Sequence, residues 1–207
     1  MKCSRLQSPC VAILISFLIV ATLFWLTGPF YGQLLLPLFR WELAAFFPAY
    51  REMHLGLGGQ GTEIYFTLRS VLAAPCLIGF TLLPSGTVLT GSTLLGHALQ
   101  HPVILLTMAV AAWLSHGESG GRLLVCSLLF LLAVELLDVP LVLIGSMENL
   151  LFERFAPAEM SRSLIVYWMH FLNEGGRLAL SLTGGMLAIL LGIERRPCLG
   201  SADRRQG

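Results

Sequence analysis

The feature that most constrains the fold of this chain is an apolar run from Arg122 to Ile144 that carries two acids, Glu135 and Asp138. The run is long enough to cross a bilayer, because about 20 apolar residues in a helix span the hydrocarbon core. An ionised side chain at that depth costs about 3 kcal/mol unless it is paired or hydrated. Arg177, on a later apolar segment, is the natural partner. The sequence therefore predicts a charged contact between two membrane helices.

The composition is typical of a membrane protein. Of the 207 residues, 56% are hydrophobic and only 12% are charged, and the mean hydropathy is +0.77. Soluble domains carry about 25% charged residues, so an ordinary water-soluble fold and a disordered chain are both excluded. The net charge of +1, without a clustered basic face, gives no support for nucleic-acid binding. The five cysteines lack a C-x-x-C spacing, so the sequence predicts neither a disulfide framework nor a metal site, and no cofactor.

Four apolar segments are predicted to cross the membrane, so we expect an all-α membrane protein with about four transmembrane helices. The segments cover residues 10–31, 94–114, 123–144 and 163–193. The first is interpreted as an uncleaved anchor, because its apolar core exceeds the roughly 7–15 residues of a signal peptide. The fourth is longer than a bilayer requires, so we expect it to begin in the interface or to tilt strongly.

The remaining regions complete the predicted domain organisation. We assign residues 1–32 to a cytoplasmic tip and the first helix, 33–92 to an extracytoplasmic insert, 93–193 to helices two to four, and 194–207 to a cytoplasmic tail. A charged connector at 145–162 joins the last two helices. Its apolar residues recur at near-helical spacing, which indicates a short amphipathic helix in the interface.

The insert is predicted to be partly β-structured. Charged residues recur in it too often for a membrane span, and aromatic residues within 41–50 are typical of the membrane interface. A glycine-rich turn at 55–62 precedes an alternating pattern at 64–71, which indicates a β-hairpin. An alternative makes 70–84 a re-entrant or short membrane segment, although it is short for a span and interrupted by Pro75 and Gly79.

The distribution of arginines predicts the topology. With four spans and a cytoplasmic N-terminus, the inner side holds seven basic residues against three acidic ones. The outer side holds five basic residues against six acidic ones. Cytoplasmic segments near membrane spans carry an excess of Lys and Arg. We therefore expect both termini to be cytoplasmic.

Four charged residues lie within the predicted spans. Glu135 and Asp138 share one helix face, and so do Glu174 and Arg177, because each pair is three residues apart. At about 1.5 Å per residue, Asp138 and Arg177 both lie roughly 22 Å above the inner ends of their helices. The two should therefore meet if their helices touch. Such a pair either locks two helices together or forms part of a relay or substrate site.

Two histidines of the second predicted span are spaced so that they lie on one face of its helix. His97 and His101 form an H-x-x-x-H pattern, which together with Glu135 or Asp138 would suit a metal or proton site. Alternatively, Pro102 marks the first turn of the helix and both histidines lie in the preceding loop. The prediction includes the histidines in the polar cluster but does not include a bound metal.

Small residues recur every four positions on the last span. This stripe either packs inside the bundle or forms an interface with a partner helix. Its members are Ser181, Gly184, Gly185, Ala188 and Gly192. The sequence has no G-x-S-x-G, H-E-x-x-H or Walker pattern, and no catalytic residue is assigned. A non-enzymatic role is therefore favoured.

The order of parts resembles the small polytopic membrane proteins associated with bacterial exosortases. The residues that carry this resemblance are the run TGSTLLGHALQHPVILLTMAVAAW and the third span beginning with Gly-Arg. Exosortases themselves have a catalytic cysteine in a Pro-x-Cys-Ser-Gly-like context, from which AAPCLIG around Cys76 departs. The resemblance thus implies an accessory role in a bacterial inner membrane and not a transpeptidase.

The expected function is that of an accessory or assembly protein for envelope or secretion systems. It would act in the lipid bilayer through helix packing and its insert, with a membrane-protein partner or as a homo-oligomer. The alternative is a transporter subunit or proton-coupled carrier that uses the His/Glu/Asp/Arg cluster. The absence of an internal repeat weighs against a transporter.

Overall fold

The computed structural model describes residues 9–60, 63–116 and 120–192, and within them four helical segments are long and apolar enough to cross a membrane. They are α1 (Pro9–Phe46), α2 (Leu95–His116), α3 (Gly120–Phe155), and a fourth segment that begins with α4 (Leu164–Phe171) and ends with α5 (Arg177–Gly192). Strands β1 (Tyr50–Gln60), β2 (Glu63–Leu72), β3 (Cys76–Ile78), β4 (Thr81–Leu83) and β5 (Val88–Leu94) lie between α1 and α2. The predicted layout of four helices with a small β insert is therefore present.

The first helix is longer than the sequence pattern suggests. It continues to Phe46, so that residues 33–46, assigned above to the insert, are helical. Leu35, Phe39 and Leu43 are buried at helical spacing and extend the apolar face beyond the length of a membrane span. The charge of Arg40 is accommodated because its guanidinium donates two hydrogen bonds to the Leu55 carbonyl oxygen, at 2.6 and 3.2 Å.

The five strands form two antiparallel sheets. The larger sheet has the order β1-β2-β5, and β3 pairs only with β4. A hairpin is present, since Gly59 pairs with Ile64 and Phe66 and Leu68 are buried at alternate positions of β2. The predicted turn at 55–62 is wrong in its extent, because residues 55–60 pair with β2 as part of β1. Residues 70–84 form the end of β2 and the β3–β4 hairpin and not a membrane helix.

The third helix also runs past its predicted end. The sequence places a separate amphipathic helix in the connector 145–162, but α3 continues without a break to Phe155 and is followed by a 3₁₀ turn, Pro157–Arg162. Leu143, Met147 and Leu151 stay buried at helical spacing in one hydrophobic cluster with the sheet. This tertiary packing keeps the connector helical.

The core lies where the inner face of the sheet meets the ends of α1, α2 and α3. Phe39 of α1 packs edge-to-face on Phe66 of β2, with ring centroids 5.7 Å apart. Gly91 of β5 lies so close to α3 that an added Cβ would come within 2.5 Å of the Leu143 carbonyl oxygen. The sheet is therefore seated directly on the helix bundle.

The fourth membrane segment is interrupted near its middle. A π-helical turn, Leu172–Gly176, separates α4 from α5. Gly175 has a φ of +112°, a conformation that costs glycine little but is strained for other residues. The turn changes the direction in which Glu174 and Arg177 project, and this determines the composition of the site described next.

Candidate functional site

The predicted contact between Asp138 and Arg177 is present at the centre of the bundle. Nε of Arg177 donates to both carboxylate oxygens of Asp138, at 3.0 Å to Oδ1 and 2.8 Å to Oδ2. The two residues are only 1% and 4% exposed. The contact joins α3 to the first turn of α5, and the charge-assisted hydrogen bonds offset part of the cost of burying both ions.

His101 extends this pair to a third helix. Its Nε2 lies 2.8 Å from Asp138 Oδ2, and its Nδ1 lies 2.7 Å from the hydroxyl oxygen of Ser181. The alternative in which both histidines lie in a loop is wrong, because α2 begins at Leu95 and includes Pro102. We call His101, Asp138, Arg177 and Ser181 the buried polar network.

Ser181 closes the network on α5. Its hydroxyl donates to the carbonyl oxygen of Arg177, at 2.8 Å, and also faces Nδ1 of His101. The hydroxyl has one proton, so either it donates to the carbonyl and His101 donates from both nitrogens, or it donates to Nδ1 and His101 is neutral. Both proton arrangements fit the same heavy-atom positions.

Glu135 belongs to a separate contact, although it lies one turn from Asp138. It is fully buried, and its Oε1 accepts a hydrogen bond of 2.7 Å from the Tyr31 hydroxyl of α1. Its other oxygen, Oε2, has no hydrogen-bond partner within the described parts of the chain. The two acids of α3 thus face different neighbours.

Glu174 does not join the cluster, contrary to prediction. The spacing of three residues from Arg177 presumes a regular helix, but Glu174 and Gly175 have non-helical φ and ψ values. Glu174 is exposed as a result, and Asn173 takes its expected place: its Oδ1 accepts a hydrogen bond of 2.7 Å from Arg177 Nη1.

His97 lies one turn before His101 but is not hydrogen-bonded to the network. It is half-buried, and its Nδ1 has no hydrogen-bond partner among the residues that the structure describes. Nη2 of Arg177 is likewise buried without an acceptor in these parts of the chain. In the same regions, no group of three or more His, Cys, Asp or Glu side chains is arranged to hold a metal ion.

The stripe of small residues packs inside the bundle. All of its members are buried. An added Cβ would lie 3.2 Å from Val134 at Gly184, 2.6 Å from Met108 Sδ at Gly185, and 2.8 Å from the Cα of Leu123 at Gly192. The first of the two predicted alternatives, internal packing against α2 and α3, is therefore the one that these contacts support.

Tyr31, Asn173 and the role of Ser181 were not predicted from sequence. Tyr31 is a polar aromatic at the end of the first apolar segment, where a location in the interface explains it equally well. Ser181 fits the small-residue stripe, so its spacing indicates packing. Only the requirement that a buried acid find donors could have suggested either hydroxyl.

No protein-family model, curated protein or solved structure matches the chain. The site therefore has to be interpreted from its own chemistry. A hydroxyl, an imidazole and a carboxylate in a chain are the groups of a Ser-His-Asp triad, but here Ser181 is fully buried and Asp138 is also bound to an arginine. An arrangement of this kind joins helices firmly and leaves its hydroxyl without access to a substrate.

Proposed function

We propose that this protein is an accessory or assembly component of a bacterial inner membrane, where it holds an extracytoplasmic sheet in place for a membrane-protein partner. The observation that carries the proposal is the buried polar network, in which one carboxylate links α2, α3 and α5. A carboxylate with donors on two neighbouring helices restricts how those helices move relative to each other. The sheet, packed on the ends of α1 to α3, is positioned by them.

The burial of the network supports a structural role over a catalytic one. An acyl-transfer enzyme needs its nucleophile beside a space for substrate. Ser181 and His101 are fully buried, and the Ser181 oxygen already contacts two groups of the protein. Removing a member of such a network destabilises the bundle, which predicts loss of folded protein before loss of any chemistry.

Two features of the sequence support the proposed location and role. The excess of basic residues on the inner side suits cytoplasmic termini. The resemblance in layout to proteins associated with bacterial exosortases suits an accessory role in envelope or secretion assembly. A membrane-protein partner fits both features better than a soluble one.

Site-directed photo-crosslinking in bacterial membranes tests this proposal. Benzoylphenylalanine replaces Arg69, which is exposed on the sheet face turned away from the helices, or Trp25, which is 86% exposed on α1. We expect one defined protein adduct from position 69, while position 25 serves as the lipid-facing control. The adduct should disappear in an Asp138→Asn variant together with folded protein.

The proposal would be contradicted if a variant of the network lost function while the protein accumulated at its normal level. If the Asp138→Asn protein accumulates normally and still forms the adduct, but fails to complement a deletion strain, the network has a chemical role and the structural proposal is wrong. Absence of any adduct from position 69 in a complementing strain would also count against it.

The two proton arrangements of Ser181 and His101 favour one alternative, a proton-coupled carrier or transporter subunit. His101 contacts both the Asp138 carboxylate and the Ser181 hydroxyl, so that hydrogen-bonding groups of three helices form a continuous chain, as a relay requires. This alternative predicts solute or proton flux in reconstituted vesicles that depends on the pH gradient and is abolished by His101→Asn. An absence of flux from folded protein would exclude it.

A further inference from the structure

The two outer strands of the larger sheet differ in how their free edges are protected. The β1 edge has a bulge between Arg51 and His54, with Glu52 at a φ of 50°. The Arg40 guanidinium also occupies the Leu55 carbonyl oxygen on that edge. Bulges and covered edge groups are the usual means of preventing a further strand from pairing.

The β5 edge has neither form of protection. The hydrogen bond from the Leu72 amide to the Thr87 carbonyl shows that Thr87 and every second residue after it point toward β2. The backbone groups of Thr90 and Ser92 therefore point away from β2. Both residues are exposed, and among the residues that the structure describes, none donates to or accepts from their backbone groups at this edge.

Two cavities adjoin this edge. On the sheet face turned away from the helices, a cavity of about 420 Å³ extends across the three strands and is lined by Gly58, Gly59, Tyr65, Thr67, Thr90 and Ser92. Between β5 and the bundle, a second cavity of about 240 Å³ shares Tyr65 and Ser92 with the first. We call the two together the β5 groove.

The bundle end of the β5 groove is rich in hydrogen-bond donors. His97 and Asn173 line it. The Oδ1 of Asn173 is occupied by Arg177, so its amide nitrogen is left to donate to other groups. Tyr65 lines both cavities, and its hydroxyl donates to the Glu63 carboxylate.

We infer that the β5 groove binds an extended peptide segment, which pairs with β5 as a fourth strand and places a carbonyl or carboxylate oxygen beside His97 and Asn173. Unpaired N–H and C=O groups at every second residue match the backbone of another strand, and neighbouring pockets then select side chains. This inference rests on the proposed function, because the peptide would belong to the partner protein. It names the part of the partner that the sheet recognises.

The experiment uses the full-length protein in nanodiscs and a random library of decapeptides with free C-termini as the probe. Retained peptides are identified by mass spectrometry. We expect Ser92→Pro to lower their retention at least tenfold, because proline removes the amide that points into the groove. Ser85→Pro is the matched control, because Ser85 is exposed in the turn before β5 and lines neither cavity, and this variant should retain the same peptides as the wild type.

If Ser92→Pro does not fold, modified peptides provide a second test on the wild-type protein. Selected peptides are resynthesised with N-methyl groups at alternate positions, and one of the two registers should lose binding at least tenfold. Hydrogen exchange supplies a second measurement, because the Thr90 and Ser92 amides should exchange rapidly in the free protein and become protected by the peptide.

The inference is overturned if the library yields no retained peptide or if both N-methyl registers bind equally. Its failure can be distinguished from failure of the proposed function. A partner adduct at position 69 that Ser92→Pro leaves unchanged would refute β5 pairing alone. Peptides that bind through β5 in the absence of any partner adduct would refute the accessory role alone.

Discussion

Glu135 and Asp138 lie one turn apart on the same helix, yet their surroundings differ. Both oxygens of Asp138 are occupied, with donors from α2 and α5, whereas within the described parts of the chain Glu135 has one donor, the Tyr31 hydroxyl of α1. Neither acid is exposed. Among the same residues, Arg177 pairs with Asp138 and no lysine or arginine pairs with Glu135. The comparison shows that two acids with the same sequence signal have different roles: Asp138 joins three helices, and Glu135 makes one contact with a peripheral helix.

The largest loss in the free energy of unfolding should come from removing the charge of Arg177. Arg177→Gln leaves the Asp138 carboxylate buried beside His101 alone, and breaking a buried ion pair on one side costs about 3–5 kcal/mol. We expect a loss of that size in the free energy of unfolding, measured by steric trapping in bicelles. Arg154→Gln, at the end of α3, is the control and should cost less than about 1 kcal/mol. Equal losses from the two variants would mean that Asp138 does not depend on Arg177.

A double mutant tests whether this cost comes from the pair itself. Asp138→Asn alone should also lower the folded fraction, because it leaves Arg177 buried without its counter-ion. Combining it with Arg177→Gln removes both charges, and we expect about 2 kcal/mol of coupling, so that the double variant is more stable than the sum of the single effects predicts. Strict additivity would show that the two side chains act independently.

A smaller loss in the free energy of unfolding is expected when the contact of Glu135 is broken. Tyr31→Phe removes the donor that the described residues supply to Glu135 and leaves a buried polar group unsatisfied, which costs about 1–3 kcal/mol. The same assay measures it, with Tyr167→Phe on an exposed position of α4 as the control. A loss as large as that of Arg177→Gln would remove the distinction between the two acids.

These contacts also show what sequence can and cannot predict here. The pairing of Asp138 with Arg177 was predictable, because each charge in an apolar span requires a partner and both lie at the same depth. The exclusion of Glu174 was not, since Gly175 permits a turn that the three-residue spacing does not reveal. The full lengths of α1 and α3 were also missed, because packing on the sheet keeps both helical beyond the membrane span.

The smallest effect is expected for Glu135→Gln, which removes the charge of the side chain and keeps its shape. Glu135→Gln keeps an oxygen that can accept the Tyr31 hydrogen bond, and because no lysine or arginine of the described residues pairs with Glu135, removing its charge breaks no ion pair among them. We expect a change below about 1 kcal/mol in the free energy of unfolding, in contrast to Asp138→Asn, the isosteric change one turn away. Glu135→Leu, which also removes the acceptor, provides the control for shape. Glu135→Gln could instead destabilise the protein as much as Asp138→Asn does. The Glu135 charge would then have to be compensated by a partner outside the described residues or in another protein. In that case the contrast between a three-helix network and a single contact would be wrong.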